Sequence, residues 1–250
     1  MSAFYAAAWR VAPIVRPRRW PVHRALAPLL REPVVEVGPG AFPRSDAADT
    51  VWVEPSEAVA SRLRATGRVV HVGRAEALPL PDSSFETALL LDVLEHCDDD
   101  RAALAELARV LRPGGRLILA VPLGAVYWSV LDPVVGHTFR YDPDDLLAKL
   151  DAAGFVPELA RVTVPIAPWT KRLADAGLWL GISVLGVAAA TAAKGFAAEL
   201  VPVRWTGRPL QPFTGISPRA SRVMLACRRR PAERQDPGRP ATRPTCRPRP

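Results

Sequence analysis

Residues 34–42, Val34-Val35-Glu36-Val37-Gly38-Pro39-Gly40-Ala41-Phe42, run from an apolar stretch straight into a turn carrying two glycines. A short run with one acid and no polar alternation predicts a strand buried on both faces, as in a parallel sheet packed between helix layers. Gly38 and Gly40 allow the backbone to turn sharply and to approach a ligand closely. In an open parallel sheet such a turn lies at the carboxyl ends of the strands, where ligands bind. The same residues would also serve as an ordinary tight strand connection, so the surrounding sequence has to decide.

Similar short runs follow at residues 51–53 (VWV), 69–72 (VVHV), 87–91 (TALLL) and 116–121 (RLILAV). Between them, Ser56 to Ala65 and Asp99 to Leu111 read as helices, the second with Ala103, Leu104, Leu107, Val110 and Leu111 on one face. Arg112-Pro113-Gly114-Gly115 is expected to stop it. Another helix begins after Asp142-Pro143 and ends at Gly154, with strands at Leu159 to Val164 and Arg222 to Cys227. Strands alternating with helices predict an α/β fold: a Rossmann-like, doubly wound, mostly parallel sheet of seven strands, the last antiparallel, with a helical insertion before it.

Composition agrees with a globular body. Of 250 residues, 49% are apolar and 23% charged, which excludes a disordered or collagen-like chain. The formal charge of +8 is concentrated at the ends. Residues 1–32 hold six Arg and one acid, and residues 228–250 hold eight Arg, six Pro and two acids, so the middle is net acidic. Nucleic acid is therefore not an expected partner, because the folded part lacks the basic excess. We expect a basic N-terminal cap over 1–32, a folded α/β domain over 33–227 and a disordered tail over 228–250.

Cys97, Cys227 and Cys246 form no CxxC pair, so neither a disulfide framework nor a metal site is expected. Arg10, Pro13 and Arg16 interrupt the N-terminal apolar residues before a secretory signal accumulates. The predicted setting is cytoplasmic.

Glu54 closes the second predicted strand, sixteen residues after Gly38. A carboxylate there can accept both hydroxyls of a ribose, or can simply charge the N-terminus of the next helix. Read with the glycine turn, it indicates a nucleoside-containing cofactor. A dinucleotide pyrophosphate favours a third glycine, whereas this chain continues Ala41-Phe42-Pro43. Glu36, two residues before the first glycine, instead suits a ligand bearing an ammonium and a sulfonium.

EVGPG, VEPSEA, AEALPLPDSSFE, LLLDVLEH and ARVLRPGGRLILAVP occur in this order from about Pro33 to Val164. In that order and spacing they resemble the class I S-adenosylmethionine-dependent methyltransferases, and within them the subgroup that includes ubiquinone and menaquinone biosynthesis methyltransferases. The resemblance implies S-adenosyl-L-methionine as cofactor. It implies that Glu36 orients the methionine amino group, that Gly38, Pro39 and Gly40 line the methionine and ribose, and that Glu54 holds the ribose hydroxyls. Ala75 and Glu76 would lie beside the adenine, and Leu91 and Asp92 would face the methyl group. Phe42 stands where a third glycine is usual, and Arg74 where an acid often meets the adenine amine.

Methyl transfer is an in-line displacement that needs alignment more than acid-base chemistry. For a hydroxyl or enol acceptor, His96 and His137 are the candidate bases, each with a purely structural alternative. Tyr127, Trp128 and Tyr141 either wall a substrate pocket or pack internally. The insertion, about 169–218, contains the uncharged stretch 176–193, short of the roughly 20 residues of a spanning helix. It is expected to form a buried or surface-docking helix beside a small-molecule acceptor, apolar or lipid-linked, with peripheral membrane contact through Lys171, Arg172 and the basic cap. A nicotinamide-dependent oxidoreductase and a non-catalytic membrane or nucleic-acid interaction protein are the alternatives. The sequence leaves the oligomeric state open.

Overall fold

The computed structural model describes residues 14, 16–17, 21–134, 136–163, 176–177, 180 and 209–231. Most of the predicted cap, most of the insertion with its apolar stretch, and the tail beyond 231 lie outside the described residues.

The described strands are β1 (Val34–Val37), β2 (Thr50–Glu54), β3 (Val69–Val72), β4 (Phe85–Leu91), β5 (Leu111–Pro122), β6 (Phe155–Thr163), β7 (Gln211–Pro212) and β8 (Arg222–Arg229). They form one sheet in the order β3-β2-β1-β4-β5-β8-β6-β7. Strands β3, β2, β1, β4 and β5 pair in parallel, while β8 lies antiparallel between β5 and β6. The seven expected strands are present; the eighth, β7, is a two-residue edge strand paired with β6. It was not legible because two residues carry no periodicity.

Other differences are local. β6 starts at Phe155, four residues earlier than expected, because it pairs with β8 from Arg229 onward. β8 in turn runs through Arg228 and Arg229, two residues into the segment expected as tail. Arg112 to Gly115 end the preceding helix as expected but lie within β5, where the register against β4 shifts between Phe85 and Thr87.

The helices are α1 (Pro21–Leu26), α2 (Glu57–Arg64), α3 (Asp100–Val110), α4 (Leu131–Val134) and α5 (Pro143–Ala152). Asp99 caps α3 by accepting from the Ala102 amide, and Asp142 caps α5 by accepting from Asp144 and Asp145. On α3, Ala103, Leu104, Leu107 and Val110 recur at helical spacing and are all buried. Each of the larger three contributes roughly 1.5–3 kcal/mol.

Strand side chains alternate between faces, and the core divides accordingly. Val35, Leu90, Leu119 and Leu225 belong to the cluster that holds the α3 and α5 residues. Their neighbours Val34, Leu89, Ile118 and Met224 join Ala25 and Leu26 of α1 on the other face. Trp52 packs there too, with Val59, Ala60 and Leu63 of α2. With both faces covered, the accessible part of the parallel strands is their ends. β1 is flanked by β2 and β4, so the strand order reverses beside β1, and the crevice at its carboxyl end is the expected ligand position.

Candidate active site

Gly38 leaves β1 with φ +67° and Gly40 follows with φ +56°, both left-handed and cheap only for glycine. The Gly38 amide donates to the Val53 carbonyl at 2.8 Å. A Cβ at Gly38 would lie 2.8 Å from Cγ2 of Val93, so the turn passes hard against the end of β4. Residues 38–49 contain no helix, and Phe42 is buried in this loop.

Two buried carboxylates hold the loop. Glu54 Oε2 accepts from the Gly40 amide and Oε1 from the Ser56 amide, both at 3.1 Å, tying the β1 turn to the end of β2. Burial raises the Glu54 pKa, against the two amides. Glu36 Oε1 accepts from the Arg44 amide at 2.7 Å and Oε2 from the Ser45 amide at 3.1 Å. Burial pushes the Glu36 carboxyl up to about 7. Each Glu36 oxygen thus accepts one backbone amide and, as a carboxylate oxygen, retains a second lone pair. Arg44 itself is attracted by Glu36 and Asp92, and burial lowers its guanidinium to about 10.

After β3, Ala75 is buried. Glu76 Oε1 accepts from Arg74 at 2.8 Å and from the Asp98 amide at 3.0 Å. Burial opposes the Glu76 charge, but these partners outweigh it and hold the carboxyl below its usual range. Arg74, which departs from the family pattern, also bonds Asp98 at 2.7 Å and so clamps β3 to the start of α3. At the end of β4, Leu91 is half-buried and Asp92 has φ +56°. The Asp92 amide donates to Ala120, and its carboxylate pairs with Arg222 of β8.

Beyond Asp92 lies a single 3₁₀ turn, Leu94–His96. The Glu95 side chain is fully buried. His96 Nδ1 lies 2.9 Å from the Gly136 carbonyl. Burial lowers the His96 pKa. His137 Nδ1 lies 2.8 Å from Asp132 Oδ1, and its Nε2 is 3.7 Å from Glu95 Oε1. The two imidazole centroids are 5.0 Å apart. Asp132 also accepts from the Ser129 amide at 2.7 Å and hydroxyl at 3.0 Å, and pairs with Arg140 at 2.7 Å. Burial works against its charge, yet these donors hold it well below the carboxylate range. Sequence reasoning missed Glu95, Asp132, Arg44, Arg140 and Arg222. Glu95, beside His96, and Arg140, three residues after His137, left a local signal.

Of the aromatic trio, Tyr141 and Tyr127 are packed internally, with hydroxyls donating to Asp100 and to the Arg219 carbonyl. Trp128 is exposed, between exposed Val126 and Val130. Among the described residues no helix is long and apolar enough to cross a membrane.

The cofactor implied by the resemblance finds suitable partners here. The paired left-handed glycines leave the β1 turn without side-chain bulk, and each Glu54 oxygen accepts one amide while retaining a second lone pair for a ribose hydroxyl.

Residues 35–119 match the methyltransferase domain family. The chain is 36% identical over 125 residues to an O-methyltransferase of Penicillium expansum, covering 45% of this chain and 44% of the relative. It is 31% identical over 145 residues to a probable S-adenosylmethionine-dependent methyltransferase of Mycobacterium tuberculosis, covering 54% and 53%. The chain thus spans about half the length of the curated relatives it matches. Among solved structures, an S-adenosylmethionine-dependent methyltransferase of Thermotoga maritima superposes with TM-score 0.56 at 24% identity, covering 86% of this chain and 90% of that one. Another, from Methanosarcina mazei, gives 0.51 at 15% identity, covering 83% and 97%. These two similarities establish the fold.

Proposed function

We propose that this chain is a class I S-adenosylmethionine-dependent methyltransferase that transfers a methyl group to an oxygen of a small-molecule acceptor. The observation that carries the reading is the Glu54 carboxylate bridging the Gly40 and Ser56 amides at the carboxyl ends of β1 and β2. The bound cofactor would supply an electrophilic methyl on a sulfonium. Glu54 would accept the ribose hydroxyls, with Gly38, Pro39 and Gly40 lining that end and Ala75 and Glu76 the adenine end. Glu36, which fixes the glycine loop through the Arg44 and Ser45 amides, would also orient the methionine amino group, and Leu91 and Asp92 would border the methyl group.

Transfer to a hydroxyl releases a proton. Asp132 favours the His137 tautomer with its proton on Nδ1, leaving the Nε2 lone pair to receive one. His96 would flank the same place, and Glu95 would complete it. The similarity to the Penicillium O-methyltransferase supports oxygen as the acceptor atom. Exposed Val126, Trp128 and Val130, in the segment leading to His137, favour an apolar or lipid-linked acceptor.

Calorimetry of the purified chain with S-adenosylmethionine tests the cofactor, and the same protein with methyl-labelled cofactor and an extract of its source cells tests the transfer. One binding event per chain and a labelled product of low mass are expected. A chain that binds no cofactor, or that labels protein or nucleic acid instead, contradicts the proposal.

A further inference from the structure

Glu95 presents an anomaly that methyl transfer alone does not explain. Its side chain is wholly enclosed, and among the described residues neither Oε1 nor Oε2 has a hydrogen-bond partner. A buried carboxyl group without partners costs several kcal/mol whether charged or neutral, so such a group calls for an explanation. What faces it is a pair of imidazoles. One ligand atom from each of Glu95, His96 and His137 lies within 4.8 Å of the other two.

We propose that Glu95, His96 and His137 bind a divalent transition-metal ion. Two imidazoles and one carboxylate form a mixed nitrogen and oxygen set suited to zinc, iron(II), cobalt(II) or manganese(II). Ligand atoms on a shared tetrahedral ion stand roughly 3.3 Å apart, and His137 Nε2 and Glu95 Oε1 are already 3.7 Å apart. Small side-chain rotations close the remainder.

The surroundings are those of a ligand set. Metal-binding histidines generally engage their second nitrogen with a carboxylate or a carbonyl, which fixes the ring. His137 Nδ1 meets Asp132, and His96 Nδ1 meets the Gly136 carbonyl. Asp132 is itself fixed by Ser129 and Arg140, so the His137 ring is held from behind. Three protein ligands leave coordination positions open. If the chain methylates oxygen, as proposed above, the ion would take the acceptor oxygen and lower its pKa, and the proton would pass to solvent. His137 would then be a ligand, accepting a proton only in the metal-free protein.

The test uses the full, untagged chain, stripped with a chelator and kept free of cofactor and acceptor. Zinc is followed by calorimetry, and cobalt(II) by its visible absorption. One ion per chain is expected, with affinity reduced at least about tenfold by Glu95→Gln and by His137→Gln. Asp132→Asn is expected to lower it by about 10–100-fold without removing a ligand. His71→Gln, on β3, should leave it unchanged. Absence of stoichiometric binding to folded protein overturns the site, as does binding that survives both ligand substitutions. Neither outcome depends on cofactor binding, so the methyltransferase reading stands or falls separately. Full turnover by the stripped enzyme would overturn the role assigned to the ion at the acceptor oxygen.

Discussion

Glu54 Oε2 lies 3.1 Å from the Gly40 amide, so the carboxylate that ends β2 also holds the turn that ends β1. Replacing it therefore affects both a ligand group and a loop. Glu54→Ala should weaken S-adenosylmethionine binding by about 1–3 kcal/mol through lost charged hydrogen bonds. Calorimetry at fixed pH measures this directly, and unaltered affinity would remove Glu54 from the ribose end.

Gly38 is constrained twice. Its φ of +67° disfavours any side chain, and an added Cβ meets Val93 at 2.8 Å. Gly38→Ala should destabilise the chain by about 1–2 kcal/mol from the backbone conformation alone, with the contact adding to it. Pairing it with Val93→Ala relieves the contact and leaves the backbone cost. The double variant should therefore recover only part of any loss attributable to that contact. Thermal melts of the two single variants and the double variant separate these contributions.

The buried acids predict a pH dependence. Glu36 titrates near 7 in the folded chain and in the ordinary carboxylate range, near 4.5, when unfolded. Between those values the unfolded chain has released a proton that the native chain retains. Stability should therefore fall as pH rises through this window, by on the order of 3 kcal/mol for Glu36. Glu54 shifts in the same direction. Glu36→Gln should flatten the plot of melting temperature against pH from 4.5 to 7. A slope equal to that of the unsubstituted chain would contradict this account.

Asp132 neutralises Arg140, whose side chain is only 4% exposed. Asp132→Ala strands that charge and should cost about 3–5 kcal/mol. Asp132→Asn keeps an acceptor for His137 or Ser129 and should cost less. Below the ordinary carboxylate range the unsubstituted chain should lose the same stabilisation, because the Asp132 pKa is depressed and its contribution disappears as acid protonates it. Urea melts at neutral and acidic pH distinguish the variants.

The sequence by itself determined the parallel strands, the order of helices between them and the glycine turn. These follow from local signals: unbroken apolar runs, helical spacing of Ala103, Leu104, Leu107 and Val110, and caps at Asp99 and Asp142. Only the tertiary structure decided what Glu36, Arg74 and Glu95 do. Glu36 turns out to grip backbone amides eight and nine residues ahead, Arg74 reaches across to Asp98, and Glu95 meets a histidine forty-two residues away. The environment of a charged side chain depends on which distant segments exclude water from it and which donors they bring. No period or spacing within a single segment encodes that.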